Sequence, residues 1–377
     1  MKDENTAASR TGSTECSMTA EDVGSRKSKA TYFREDIQRA KGYVPGFQPK
    51  QADVVKLNAN ENPYPPSPAV MRALAELTPE QLRRYPDAKG DAFREAAAEV
   101  NGVEPDNIVC CKGGDDLLSL ALRAFCDESR PVAYPVPTYS LYRVLAGFQN
   151  CQALEIPFDE DFNLPAELAQ TGAALTIVCN PNAPSTTRVP VEDLASLAEK
   201  LSGILLIDEA YVDFAEGDSV ALVKEYDNII ILRSLSKGYS LAGLRFGYAI
   251  ADKDLIGGLA KIKDSYSVDA IAIALATAAI KDQAHFMANI EKVTRQRQLV
   301  TEQLRALDFK VPDSYTNFIL AQPPTGSAAE LCEQLTLRGI YVRYFDAPGL
   351  KDKLRISIGT AGQNEKLLAA LREILSS

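Results

Sequence analysis

Seven short runs of this chain are apolar almost without interruption, and helical patterns separate them. They cover residues 108–111, 131–134, 151–156, 175–179, 204–208, 229–232 and 246–251. A strand with one wet face alternates apolar and polar residues, whereas a continuous run needs both faces covered. Helix candidates at 68–77 and 90–101 precede the first run, and those at 115–127, 138–147, 191–201 and 220–226 lie between runs. Buried strands joined by helical crossovers predict an α/β fold with a mostly parallel sheet, with antiparallel strands at one or two edges. After Asp264 the pattern changes. A long Ala/Ile-rich helix at 270–284 leads into a charged helix at 288–307, and helices at 327–338 and 364–375 mix with strand candidates at 309–311, 318–321, 340–343 and 354–358. That mixture predicts a second, smaller α+β domain.

The layout read from these patterns has four parts. Residues 1–28 are polar and without periodicity, which predicts a disordered tail. Residues 29–57 form an N-terminal arm, with a helix candidate at 32–40 and the turn-rich Gly42-Tyr-Val-Pro-Gly46. Residues 58–264 make the large domain, opening on a proline-rich loop at 58–68, and residues 265–377 make the small one. The 377 residues carry a formal charge of −10, which invites neither nucleic acid nor an anionic lipid surface. No apolar run approaches the roughly 20 residues that span a bilayer, and the first 28 residues hold no apolar signal-peptide segment. The seven cysteines are odd in number and lack metal-type spacing, as expected of reduced thiols in a cytoplasmic protein. His285 is the single histidine, so a histidine-based triad or multi-histidine metal centre is excluded, and no metal site is expected.

The chemistry concentrates in Arg233-Ser-Leu-Ser-Lys-Gly-Tyr-Ser-Leu-Ala-Gly-Leu-Arg245. Lys237 falls just past a buried strand, at the edge where open α/β sheets gather ligands. A lysine partly desolvated there has a lowered pKa and an amine able to attack an aldehyde. Ser234, Ser236 and Arg245 suit one phosphate, the hydroxyls donating and the guanidinium clamping. Asp208 ends an aliphatic run, where a buried acid needs a partner. A protonated ring nitrogen would serve; so would the role of helix N-cap, and the sequence leaves both open. Tyr211, three residues on, offers a phenol to a ring hydroxyl. Lys112-Gly-Gly-Asp-Asp116 puts a glycine pair between a strand and a helix, aiming backbone N–H groups at an anion, without the spacing of a P-loop. Tyr139 lies at another strand end, placed to stack on a planar ring. Asn180-Pro-Asn-Ala-Pro184 reads as a proline-rich turn. Arg343 and Arg355 punctuate small-domain strands, and beside a cleft each forks onto a carboxylate or phosphate. An amine, a phosphate site, a carboxylate for a ring nitrogen and a phenol are the parts that pyridoxal 5'-phosphate chemistry takes from a protein.

In order along the chain, Leu57-Asn-Ala-Asn-Glu-Asn-Pro-Tyr64, Arg84-Tyr-Pro-Asp87, Gly113-Gly-Asp-Asp116, Pro137-Thr-Tyr139, Asp208-Glu-Ala-Tyr211, Ser234-Leu-Ser-Lys237, Leu244-Arg-Phe-Gly247 and Leu354-Arg-Ile-Ser-Ile-Gly-Thr360 resemble the fold-type-I pyridoxal-phosphate-dependent aminotransferases, over residues 40–377. Asn60-Glu-Asn-Pro-Tyr64 and Val342-Arg-Tyr-Phe345 are most similar to the histidinol-phosphate group of that family. The resemblance implies a three-layer large domain and a homodimer. It gives Lys237 the covalent hold on the cofactor and the proton shuttle, Asp208 the ring nitrogen, Tyr211 the ring oxygen and Tyr139 the stacking face. Ser234, Ser236, Arg245 and the backbone of Gly114 and Asp115 would bind the cofactor phosphate, and Tyr85 would reach that of the neighbouring subunit. Arg355 would take the acceptor's carboxylate, while Arg343, Tyr64 and Asn60 would shape the substrate's phosphate site. The implied reaction passes the amino group of L-histidinol phosphate to 2-oxoglutarate, a step of histidine biosynthesis. Relatives using aromatic amino acids, or decarboxylating threonine phosphate, share nearly the whole motif set, and a non-catalytic regulator of this fold is a third reading. Departures stand out at Asn182-Ala-Pro-Ser-Thr186, where many relatives carry Asn-Asn-Pro-Thr-Gly, so that either Asn182 serves the ring oxygen or Tyr211 works alone. Asp116 replaces a glutamate, and Ser265-Tyr266-Ser267 replaces a more familiar hinge run.

Overall fold

The computed structural model describes residues 32–43, 46–50 and 53–376. The polar tail at 1–28 and part of the arm therefore lie outside the described residues. Residues before Ala40 form a unit of their own, with one short helix, Glu35–Arg39. Everything below concerns the unit from Ala40 onward.

Seven strands form the main sheet: β2 (Ile108–Cys111), β3 (Val132–Val136), β4 (Ala153–Pro157), β5 (Leu175–Cys179), β6 (Ile204–Asp208), β7 (Ile229–Ser234) and β8 (Gly247–Ala251), in spatial order β2-β8-β7-β6-β5-β3-β4. The strand β1 (Val55–Lys56) belongs elsewhere. Neighbours from β7 to β4 run parallel, and β8 is antiparallel to both β7 and β2. The antiparallel strand thus sits one place in from the edge rather than at it. Strands β5, β6 and β7 are buried almost throughout, which their unbroken apolar runs require. One apolar cluster gathers Phe93, Leu194, Ile207, Ile231 and Phe246; another gathers Leu118, Tyr142, Leu206, Ile230 and Leu232. Residues 206 and 207, and 230 and 231, alternate between the two clusters, as a pleated strand with two covered faces must. The result is helix, sheet, helix.

A smaller antiparallel sheet joins β11 (Arg343–Tyr344), β12 (Leu354–Ser357) and β9 (Phe318–Ala321), and β1 pairs in parallel with β10 (Ile340–Tyr341). The helices Gln283–Arg305, Ala328–Leu337 and Ala361–Leu375 cover a third apolar cluster around Val293, Leu304, Leu335, Ile356 and Leu367. The single strand expected at 340–343 is two strands in two sheets. The strand expected at 309–311 reduces to one bridge, Lys310 with Gln322.

The long helix expected at 270–284 stops at Lys281. Asp282 leaves helical geometry (φ −95°, ψ 66°), and its carboxylate accepts the N–H of His285, which starts the next helix. Ala270–Lys281 packs with the main-sheet core through Ala272, Ile273, Ala276 and Ile280, against helices Pro68–Ala75 and Asp91–Asn101. The helix Lys253–Ile262, capped by Asp252, has no counterpart in the sequence reading. Its Gly257-Gly258 pair lowers helical propensity and hides the apolar stripe of Ile256 and Leu259. Among the described residues no helix is long and apolar enough to cross a membrane, and no group of three or more His, Cys, Asp or Glu is arranged to hold a metal ion.

Candidate active site

Strands β6 and β7 are parallel neighbours, with Asp208 opposite Leu232. Asp208 therefore ends one strand at the same carboxyl edge over which the chain passes on to Lys237. The lysine ammonium lies 5.6 Å from the centre of the Tyr211 ring, and its hydrogen-bond partner is the carbonyl of Ala59 at 3.5 Å. Burial, chiefly, pulls its pKa down to about 8; Arg355 and Arg245 add to this, against Glu61 and Asp115. About a tenth of the amine is then neutral at pH 7, far more than for an ordinary lysine, and the neutral form is what a nucleophile needs.

Asp208 is buried, and its donors are neutral: the Tyr142 hydroxyl at 2.6 Å and the Ala210 N–H at 3.1 Å. Burial raises its pKa to about 6, with both donors working the other way. No lysine or arginine pairs with it among the described residues, so a protonated ring nitrogen would complete it. Tyr142, which sequence reasoning passed over, lies one helical turn beyond Tyr139. Tyr211 packs edge-on against Phe318, and its oxygen accepts from the Asn60 amide at 3.0 Å. Burial pushes its pKa up to about 12.

The phosphate candidates also converge. Arg245 points one nitrogen at the Ser236 hydroxyl (3.4 Å) and another at the Asp115 carboxylate (3.2 Å), while the Tyr139 hydroxyl donates to the other oxygen of Asp115. The Ser234 hydroxyl accepts the N–H of Ser236. Gly113 has φ +90°, and a Cβ there would stand 2.9 Å from the Arg245 guanidinium, so this glycine lets the loop and the arginine meet. Gly114 opens the helix Gly114–Phe125 beside them.

In the smaller sheet, Arg343 and Arg355 face each other across β11 and β12. Their guanidinium groups lie 5.2 Å from the centre of the same ring, Phe345, and Arg355 is also 5.3 Å from Phe318. Arg355 donates to the Asn58 carbonyl at 3.0 Å, and its buried Nε has no hydrogen-bond partner among the described residues. Burial and the facing Arg343 both lower its pKa. Two cations this close call for an anion.

The remaining candidates sit further from one another. Asn60 is buried, with its amide shared between Tyr211 and the Ser357 hydroxyl, so it acts on the site through Tyr211. Tyr64 lies under the Lys292 ammonium, 5.2 Å from the ring centre. The side chain of Asn182 is occupied by Thr138, the Pro137 carbonyl and Ser185, at 2.7, 3.0 and 2.8 Å. Tyr85 is 81% exposed and stacks at 4.6 Å on Tyr266, one of the departing hinge residues.

A buried amine at a sheet's carboxyl edge, a carboxylate without a cation and an anion cradle beside a helix start define an enzyme that works through a lysine-bound cofactor. The chain belongs to the aminotransferase class I and II family, whose profile matches residues 52–371. It is 50% identical, over 91% of its length and 99% of theirs, to histidinol-phosphate aminotransferase 1 of Trichormus variabilis, and 42% identical to the histidinol-phosphate aminotransferase of Citrifermentans bemidjiense over 91% and 98%. The fold matches, with a TM-score of 0.83, a histidinol-phosphate aminotransferase from Sinorhizobium meliloti in complex with pyridoxal 5'-phosphate (24% identity; 93% of this chain, 99% of that one). Enzymes of this family depend on pyridoxal 5'-phosphate, and the residues at the edge of β6 and β7 fit that group.

Proposed function

We propose that this chain transfers the amino group of L-histidinol phosphate to 2-oxoglutarate, giving imidazole acetol phosphate and glutamate. The observation that carries the substrate is the facing pair Arg343 and Arg355, of which Arg355 bears on the Lys237 amine, and the pair is suited to a substrate with an anionic tail. The 50% identity to a relative of that name supports it.

Bound at this edge, pyridoxal 5'-phosphate supplies an electron sink for the negative charge left when the donor's Cα gives up its proton. Lys237 holds the cofactor and carries that proton from Cα. Asp208 keeps a proton on the ring nitrogen, and Tyr142 holds Asp208 in place. Tyr211 orients the ring oxygen and Tyr139 covers the ring. Ser234, Ser236, Arg245 and the N–H groups of Gly114 and Asp115 bind the phosphate. Arg355 takes the acceptor's carboxylate, and Arg343 with Tyr64 takes the donor's phosphate, Asn60 steadying Tyr211. Asn182 shapes the loop beside the ring. The working form is a cytoplasmic homodimer in which the exposed Tyr85 reaches the partner's cofactor phosphate. Residues 58–264 bind the cofactor, and 265–377 form the smaller part, with Ala270–Lys281 lying against the former.

The test is a panel of amino donors added to purified holoenzyme, read by loss of the bound cofactor's visible absorbance and by release of CO₂. Histidinol phosphate should bleach the absorbance without CO₂, and 2-oxoglutarate should restore it. Unchanged absorbance with histidinol phosphate refutes the substrate assignment.

A further inference from the structure

The peptide between Lys237 and Gly238 is gripped from two sides by residues with no role in the scheme above. Asn62 reaches it from the proline-rich loop, and its amide donates to the carbonyl of Lys237 at 3.0 Å and of Gly238 at 3.3 Å. Asp213 reaches it from the turn that follows Tyr211, and its carboxylate packs against Gly238 and faces that residue's N–H, which works against the burial that raises its pKa. The fit is tight: a Cβ on Gly238 would collide with Oδ2 of Asp213 and stand 2.7 Å from Phe286. Gly238 does not have a positive φ. Its hydrogen side chain is therefore needed for that approach, not for backbone freedom.

Behind Asp213 lies a charged cluster: burial raises its pKa to about 6, Glu209 and Asp218 add to this, and Arg233 works the other way. Arg233, next to last in β7, is enclosed between Glu209 at 2.8 Å and Asp218 at 2.9 Å, and its field also falls on Asp213. The Asn62 carbonyl oxygen is in turn held by the N–H of Tyr64 at 3.1 Å. Both gripping side chains are thus fixed from behind, and both end on the one peptide that carries the lysine.

We propose that Asn62 and Asp213 are positioning residues that clamp the Lys237–Gly238 peptide and so aim the lysine amine. The lysine side chain has four rotatable bonds, and a small tilt of its peptide moves Nζ far. Holding the carbonyl of that peptide, the carbonyl of the next one and the side that bears the Gly238 N–H narrows where the amine can go before and after the cofactor leaves it. This inference rests on the assignment of Lys237 above.

The experiment compares holoenzyme with Asn62→Ala, Asp213→Ala and Asp213→Asn. Borohydride trapping followed by peptide mass spectrometry first asks whether the cofactor is on Lys237. Each variant is then measured for kcat, KM and the pH titration of the bound cofactor's absorbance. Loss of the carboxylate that faces the Gly238 N–H predicts a fall in kcat of about ten- to a hundredfold for Asp213→Ala. Asn62→Ala should fall about tenfold, with KM nearly unchanged. The absorbance midpoint should move by about one pH unit, a tenfold change in protonation balance. Asp213→Asn keeps an acceptor for the N–H and should recover most of the kcat. Should Asp213→Ala fail to fold, Asn62→Ala, which removes no charge, decides alone. Cofactor on Lys237 with parental kcat and midpoint in the alanine variants overturns the clamp, as does Asp213→Asn equal to Asp213→Ala. Cofactor elsewhere in the parent enzyme overturns the lysine assignment itself.

Discussion

Asp208→Asn should make the cofactor-free protein more stable and the loaded enzyme nearly inert. In the apoprotein, Asp208 is a buried carboxylate with only neutral donors, and burial raises its pKa from 3.8 to about 6. The sign follows from proton linkage. Below the unfolded value both states are protonated and there is no penalty; above the folded value the penalty is complete. A shift of about two units corresponds to about 3 kcal/mol at pH 7. Asparagine removes the charge, and its packing is nearly the same. Its oxygen can keep the Ala210 N–H, and its amide can donate to Tyr142 if that hydroxyl turns its proton toward the adjacent Cys179 sulfur. The net gain expected for the apoprotein is therefore about 2–3 kcal/mol at pH 7, vanishing as pH falls toward 4. In the holoenzyme the same change removes the counter-charge of the ring nitrogen, and kcat should drop by orders of magnitude. Urea unfolding of both apoproteins across pH 4–7, at one protein concentration, with kcat measured in parallel, tests both halves. An apoprotein variant less stable than its parent at pH 7 would refute the electrostatic account, and near-normal kcat would refute the role at the ring nitrogen.

Lys237→Ala should abolish turnover yet retain cofactor through Ser234, Ser236 and Arg245, as equilibrium dialysis with a phosphate competitor would show. The rate at which apoprotein recaptures cofactor covalently should rise with pH and level off above about 8, the lowered value of the Lys237 amine; a rise continuing toward 10.5 would contradict its burial. Arg233→Met leaves Glu209 buried without its cation, which should cost about 3–5 kcal/mol in unfolding experiments. Thr186 is a buried β-branched residue at φ +73°, and its hydroxyl donates to the Asp313 carbonyl at 3.2 Å. Both Thr186→Ala and Thr186→Gly lose that bond, but only glycine relieves the backbone, so glycine should be the more stable by about 1 kcal/mol, reversing their usual order; alanine at least as stable as glycine would mean no strain is stored there.

The main sheet was legible because its strands are buried on both faces, a condition that writes itself into consecutive residues such as Ile229-Ile-Ile-Leu232. The position of β8 was not, because antiparallel and parallel buried strands present the same apolar run; its place between β2 and β7 is set by pairing, which no local pattern records. Short half-covered strands such as β10 and β11 carry too few residues for a period, and Gly257-Gly258 erased the signature of the helix around it. The site divides the same way. Lys237, Asp208 and Arg245 are recognisable because each is a charge placed where a charge is expensive. Tyr142, Asn62 and Asp213 are not, because nothing in the local pattern, not even the motif around Asn62, says which distant group each one meets. Asn62 is 175 residues from the peptide it holds. Tyr142 is 66 residues from the carboxylate to which it donates. Groups that do chemistry break local rules and can be seen in sequence, whereas groups that aim them obey local rules and become visible only when the fold brings them together. Within this site the second kind is tied to the first by single hydrogen bonds, which is why a change at Asn62 is expected to register in the titration of a lysine it never touches at the amine.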